Sequence, residues 1–472
     1  MTLARDLTWQ NLDLVYRSSI AHQYARYALA IKYDMFPDNV IHAAKRCLLD
    51  TLGCAVGAYT APGFPMVEGM VRELGGKKEA SVFGTGLHTT ATNATLVNSF
   101  LVRFLDYNDM GGGGHNSDTI PSIIAVAERE KTSGRDFLTA LIISYELGTR
   151  FSDAPGGHTS YESKGYTIDI RGGVTLPPPL GKLMGLNEIQ IANAIGICAS
   201  HSLPLGILDT NREENFHAKN MRVGFVARDA IESCLLAKRG FTGPVRVVEG
   251  ENGIREVIMK NEMDLETMVD FSGWRIPSVR YKSLCCNGTT MGHVSATLEI
   301  VKENDLHPED IAEVRIGTGL RESKHTISLS KKFPRNGETA DHSAFYANAI
   351  AIKERHFGPK SMEPEKFTDP IVLDLIDKIT VKPHPDLSEH SSAGISEIIT
   401  RDGRKFVRRV DVPHGFGPDP LTDKELGDKF LEMAAEHFSE EHIRKMFDVI
   451  WNVDRLDDVS ALTELMVIKN RK

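Results

Sequence analysis

The strongest constraint on this chain is a polar, glycine-rich segment held between two apolar ones. RFLDYNDMGGGGHNSDTIPSIIAVAE, residues 103–128, sets Asp106, Asn108, Asp109, His115, Ser117 and Asp118 around four consecutive glycines, Gly111 to Gly114. The text before it (ATNATLVNSFLVRFLD) and after it (TIPSIIAVAEREK) is helix-like. Two helices therefore deliver one polar loop. Ordering four glycines costs chain entropy, which a fold tolerates where backbone must come close to something or where a loop must move. A solvated linker would account for the glycines alone. The carboxylate, amide and imidazole groups crowded around them favour a chemical role, because rigidly mounted loops are where chemistry concentrates.

The chain has 472 residues, 41% of them hydrophobic, enough for two or three domains. Its formal net charge is −9 and it has no long basic run, so nucleic acid is not an expected partner. A small anionic substrate remains compatible with a local basic pocket. No apolar run reaches the length of a membrane span, so no membrane partner is expected. MTLARDLTWQNLDLVYRSS lacks the apolar block of a secretory signal. The six cysteines, Cys47, Cys54, Cys198, Cys234, Cys285 and Cys286, form no CxxC pair and no disulfide-like spacing. A reduced, cytoplasmic protein without a cysteine-bound metal is expected.

Helical text continues on both sides of the central loop. SSIAHQYARYALAI comes first, and Asp38 is placed to cap the following NVIHAAKRCLLDTLGCAVGAY. SVFGTG, residues 81–86, reads as a short extended piece. Gly134 separates SIIAVAEREK from DFLTALIISYELGTRFSDA. Residues 153–182 are rich in Gly, Pro and polar groups and read as a long irregular segment, either a functional loop or a surface excursion. Asn187 caps EIQIANAIGICAS, and another helix runs from about Lys219 to Arg239. After about 270 the text changes. EVRIGTG reads as a strand, and GISEIITRDGRKFVRRVDVP as a hairpin turning at Asp402–Gly403. Helical pieces, HVSATLEIVKEN and HSAFYANAIAIKE, lie between them. Thr422 and Glu425 have capping-box spacing where helix resumes. The expected organisation is residues 1–271 helical, 272–410 a separate α+β domain, and 411–472 helical again.

Common catalytic templates are missing. There is no GxSxG, no GxxxxGK[ST], no GxGxxG after a strand and no HExxH. Asp106, Asp109, His115 and Asp118 are metal-ligand types without the regular spacing of a metal motif, so no metal is expected. Acid–base chemistry remains. His115 titrates near neutral pH, and Asp106, at the end of an apolar helix, has a carboxyl that burial would raise. Lys219, Arg222 and Arg228 crowd the start of a helix, where cations are disfavoured. Their presence fits either an anion seated on the helix start or a solvated basic turn. Lys282 opens the second domain, followed by the adjacent Cys285 and Cys286, which are reactive thiols or core residues.

Five ordered stretches complete the reading: AAKRCLLDTLGCAVGA, RFLDYND with GHNSDTIPSIIAVAE, KNMRVGFVARDAIESCLLAKRGFTGP, YKSLCCNGTTMGHVSA and ADHSAFYANAIAI. Together they resemble the MmgE/PrpD family, which includes 2-methylcitrate dehydratase, cis-aconitate decarboxylase and iminodisuccinate epimerase. The resemblance implies a mostly α fold: a large all-α domain built from both ends of the chain plus a smaller inserted α+β lid. It also implies a homodimer, no cofactor, and an active site between the domains. By that likeness Asp106, His115, Lys219 and Lys282 are the catalytic set. Arg222, Arg228, Cys285 and Cys286 would help hold a carboxylate substrate, and Asn108, Asp109 and Ser117 would orient the substrate or the catalytic pair. Asp106 or His115 would remove a proton and the other would protonate the leaving hydroxyl. SLCCNG departs from the lid motif of the dehydratase branch. Tyr166, Ile168, Asp169 and Asn287 stand where the decarboxylase branch has extra histidines. The expected reaction is dehydration of a 2-methylcitrate-like polycarboxylate, with epimerisation, decarboxylation or ligand binding without catalysis as alternatives.

Overall fold

The computed structural model describes residues 8–111, 114–156, 159–320, 326–388 and 391–468. Most of these are helical, with a smaller α+β part. The helical part is built on α1 (Ile20–Ala30), α2 (Asp38–Gly57), α3 (Ala91–Phe104), α4 (Ile120–Glu130), α5 (Gly134–Asp153), α6 (Glu188–Ala199) and α7 (Ala218–Lys238). Side chains accept orphan N–H groups where the local text calls for them. Thr90 caps α3, Ser133 caps α5, and Asn187 with Gln190 makes a capping box on α6. Asp38 does not cap α2. Pro37 holds the N-cap position and Asp38 is the first helical residue, where its charge favours the positive end of the helix dipole.

Two glycines set the closest helix approaches. A Cβ on Gly224 of α7 would lie 3.3 Å from the Leu96 carbonyl of α3, so these helices cross nearly backbone to backbone. A Cβ on Gly134 would fall 1.6 Å from the Val453 carbonyl, which explains a glycine at the first turn of α5.

The segment 153–182 is more ordered than its composition indicates. Thr159–Ser163, Arg171–Thr175 and Pro177–Leu183 are short helices. Proline in a first turn gives up no hydrogen bond and has a pre-set φ, so Pro177–Pro179 start a helix instead of breaking one. The short extended piece is limited to Ala80–Ser81, paired with His88–Thr89.

The α+β part carries one four-stranded sheet. β1 (Ile311–Thr318) lies between β2 (Ile379–Pro383, parallel) and β3 (Gly394–Thr400, antiparallel), and β4 (Lys405–Val410) closes the hairpin with β3. Gly403 has φ +86°, as that hairpin's turn requires. Alternate residues of β3 are buried under α8 (Met291–Glu303), and α9 (Ala344–Glu354) packs beside α8. Thr297 of α8 donates to Asn348 of α9 at 2.6 Å and lies 2.8 Å from Ser396 of β3, tying the three layers.

The chain then returns to the helical part through α10 (Asp423–Ala434), whose Thr422–Glu425 capping box is formed. Gly53 of α2 would place a Cβ 2.8 Å from Met433. Beside that contact the Lys429 ammonium is buried. It donates to Asp50 of α2 at 2.7 Å, to the Tyr107 carbonyl at 2.7 Å and to the Lys282 carbonyl at 3.0 Å. One cation from the C-terminal segment thus fixes backbone on both sides of the cavity described next.

Candidate active site

Asp106 stands two residues beyond α3 with φ +46°, a left-handed conformation that costs energy in a non-glycine residue and recurs at functional sites. Its carboxylate bonds to the Arg103 guanidinium and lies 3.1 Å from the Lys282 ammonium, which also donates to the Asp106 carbonyl at 2.5 Å. All three side chains are buried. Burial by itself would raise this carboxyl, as the sequence reading expected. Arg103, Lys282 and Lys219 overcome it and hold Asp106 well below the usual carboxylate range.

The glycine run folds back on itself. Gly111 and Gly114 exchange both backbone hydrogen bonds, at 2.9 and 3.1 Å, while Gly112 and Gly113 lie outside the described residues. A Cβ on Gly114 would meet the Arg171 guanidinium at 2.7 Å, so close approach is one reason for glycine here. Met110 pairs its backbone with Arg280 at 2.7 and 2.8 Å, which ties the loop to the start of the second part.

The loop delivers His115. Its Nδ1 lies 2.6 Å from the Asp109 carbonyl, a partner that can only accept, so the proton is assigned to Nδ1. Nε2 keeps its lone pair and sits 3.7 Å from Asp106. Burial, reinforced by Arg103 and Lys282, holds the imidazole well below its usual range, so it is neutral at pH 7.

Behind this pair lies a closed polar network. Asn108 donates to Ser117 at 2.8 Å and to Asp118 at 2.7 Å. Ser117 and Tyr145 both donate to Asp109. Burial raises Asp109 to about 6 and Asp118 to about 7. Asn108, Asp109 and Ser117 do not border the cavity described below and bond among themselves and to Asp118 and Tyr145, which fits the second of the expected roles, orienting the catalytic pair. They brace the loop that carries Asp106 and His115.

Lys219, at the start of α7, resolves the alternatives left for the basic helix start. The anion there is the chain's own: Asp341 accepts from Lys219 at 2.7 Å. Asn287 lies 2.8 Å from His342 Nε2. His342 Nδ1 in turn lies between the Asp341 carboxylate and the Lys219 ammonium, 3.1 Å from the latter. Arg222 is held by Asp169 at 2.5 Å and Asp209 at 2.8 Å. Arg228 lies further along α7, partly exposed and paired with Glu232, and does not border the cavity. Cys285 and Cys286 are buried, with the Cys285 thiol donating to the Leu105 carbonyl at 2.9 Å. Burial pushes the Cys286 thiol up to about 12, which removes it as a nucleophile at neutral pH.

Asp341, His342, Arg103 and Asp209 carry no local sequence signal for a role in this site. ADHSAFYANAIAI was noted as a stretch, but a helix-start Asp–His pair has no local signal for meeting a lysine 122 residues away. Donor atoms of Asp106, Asp341 and His342 lie within 4.8 Å of one another, the spacing of a possible metal site. Lys219 and Lys282 already neutralise both carboxylates, so this donor set fits a metal poorly.

Some of these groups line a cavity of about 530 Å³, and others lie just behind its wall. The helical part contributes Arg103, His115, Tyr166, Asp209 and Arg222, and the later segment contributes Arg280, Lys282, Asn287 and Phe416.

The MmgE/PrpD N-terminal domain profile matches residues 22–266, and the MmgE/PrpD C-terminal domain profile matches residues 285–454. The chain belongs to the MmgE/PrpD family. Cis-aconitate decarboxylase of Aspergillus terreus is 23% identical to it, over 98% of both chains. Cis-aconitate decarboxylase of Homo sapiens is 23% identical over 95% of this chain and 94% of the relative. 2-Methylcitrate dehydratase of Escherichia coli (strain K12) is 22% identical over 93% of this chain and 95% of the relative. These MmgE/PrpD relatives include both a dehydratase and decarboxylases at similar percentage identity, with the decarboxylases the stronger matches. Among the described residues no helix is long and apolar enough to cross a membrane.

Proposed function

We propose that this chain is a cofactor-independent carbon–oxygen lyase that dehydrates a 2-methylcitrate-like polycarboxylate. The observation carrying the reading is the neutral His115. Its Nε2 lone pair borders the cavity 3.7 Å from an ionised Asp106, in a wall of cations. Removing a proton next to a carboxylate builds charge on the substrate, and fixed cations stabilise that charge as it forms.

The resting protonation states alter the division of labour. Asp106 and His115 are both held below their usual ranges, so neither carries a proton to give at neutral pH. In this reading His115 takes the substrate proton, Asp106 stabilises the imidazolium, and His115 returns the proton to the departing hydroxyl. One base serves both steps. Lys282 helps hold Asp106 ionised, and Lys219, paired with Asp341, adds positive potential. The likeness to the MmgE/PrpD family also supports a homodimer, which light scattering on the purified protein would test.

Decarboxylation is the second reading, favoured by the cis-aconitate decarboxylases that match along nearly the whole chain. Proton NMR in deuterated water with citrate, 2-methylcitrate, cis-aconitate and iminodisuccinate separates the possibilities. An alkene signal from 2-methylcitrate or citrate, lost in His115→Ala, supports dehydration. Loss of carbon dioxide from cis-aconitate replaces dehydration with decarboxylation. Deuterium entering a carbon with no alkene formed points to epimerisation. Inertness toward all four sinks the polycarboxylate reading.

A further inference from the structure

Apart from Arg212, which borders the cavity from an exposed position, the cations at or just behind the cavity wall are of two kinds. Arg103 and Lys282 are committed to Asp106, Lys219 to Asp341, and Arg222 to Asp169 and Asp209. These charges are balanced inside the protein and are not free to neutralise a substrate carboxylate. Arg280 is different. It borders the cavity, is half-buried, and has no carboxylate within ion-pair distance among the described residues. Its side chain makes no hydrogen bond among those residues either. Its backbone is fixed by both hydrogen bonds to Met110, and its guanidinium lies over the Phe416 ring at 4.9 Å.

We infer that Arg280, backed by Phe416, is a carboxylate-anchoring residue of the cavity, gripping one carboxylate of the substrate while the reacting carbon faces His115. A guanidinium stacked on a ring keeps its N–H edge free, and that edge matches a carboxylate bidentately. Arg280 and Lys282 both line the cavity. Burial without a counter-charge pulls the Arg280 pKa down, the condition a bound anion would relieve. The inference rests on the polycarboxylate reading and adds which residue holds the carboxylate that does not react.

Calorimetric titration with tricarballylate, an unreactive tricarboxylate, tests it, alongside glutarate and 2-methylsuccinate, which each lack one of its carboxylates. Arg280→Gln is expected to weaken tricarballylate binding about 10- to 100-fold, the range for a charged hydrogen-bonded contact. For at least one of the dicarboxylates the penalty should shrink to about threefold or less. Arg280→Lys keeps the charge without the fork and should fall between wild type and Arg280→Gln; it also serves if the glutamine variant does not fold. Tricarballylate binding unchanged in both variants would overturn the inference alone. An equal penalty on all three ligands, with a matching loss of thermal stability, would overturn it in favour of a structural role. Failure of the wild type to bind any of the three would sink the polycarboxylate reading and the inference with it.

Discussion

Two of the hollows among the described residues are of similar size and differ in kind. The cavity beside Asp106 and His115 holds about 530 Å³ and is bordered by Arg103, Asp209, Arg222, Arg280 and Lys282. The other, about 630 Å³, is bordered largely by apolar groups such as Ala199, Leu203, Val245, Val247, Ile254 and Ile258. Tyr166 borders both. The larger hollow follows from how short segments after α6 and α7 pack. The smaller one exists because charged side chains from distant segments converge and are braced from behind. Volume records packing, whereas chemistry needs charge that is placed and held.

Substitutions on the two sides should separate them. The largest expected effect is in His115→Ala, which removes the proposed base and should lower kcat/KM about 10²- to 10⁴-fold on whichever polycarboxylate the wild type consumes, with little change in Tm. Activity retained within tenfold would place the chemistry elsewhere. Next comes Lys429→Met under the polar cavity. It leaves Asp50 buried without its partner and should cost about 3–5 kcal/mol of stability, read from urea unfolding. A loss under about 1 kcal/mol would mean that Asp50 is not charged there.

The pH dependence has two parts. His115 must be unprotonated to act, and its pKa is lowered, so activity should persist into mildly acid solution and fall only below the usual imidazole range. An acid limb at or above ordinary histidine would contradict the site's electrostatics. For stability the sign is the reverse of the usual carboxylate case. The fold raises Asp109 to about 6 and Asp118 to about 7, so each keeps a proton that the unfolded chain has already lost above its ordinary pKa. Their contribution is full below the ordinary carboxylate pKa, fades as pH rises from there, and is gone above about 6 to 7. Asp118→Asn should flatten that part of the Tm–pH curve relative to wild type. An identical slope would show that Asp118 is ionised throughout. The smallest effects belong to the other hollow and the outer helix face. Leu203→Ala should leave kcat/KM within about threefold. Arg228→Ala should change stability by about 0.5 kcal/mol or less, because its pair with Glu232 is partly exposed.

Local text was a good guide wherever a few neighbouring residues settle the outcome. Asn187 and Thr422 cap helices because their own oxygens reach N–H groups three residues on. Asp402–Gly403 turns the hairpin because glycine takes positive φ without a side-chain clash. Asp38 and the prolines at 177–179 went otherwise, since a cap residue and a first-turn residue look alike until the backbone is known.

For the site, the sequence alone determined that an acidic, histidine-bearing loop sits between two helices, and the ordered motifs pointed to the MmgE/PrpD family and to Asp106, His115, Lys219 and Lys282. It could not determine how those charges are compensated. Only the tertiary structure decided that Lys219 meets Asp341 across 122 residues, that Lys282 meets Asp106 across 176, and that Arg280 is left without a carboxylate among the described residues. The reason is physical. Hydrogen bonds, caps and turns are set within a few residues of chain, whereas a buried charge takes its state from whichever charges the fold brings within a few ångströms, and those lie anywhere in the sequence.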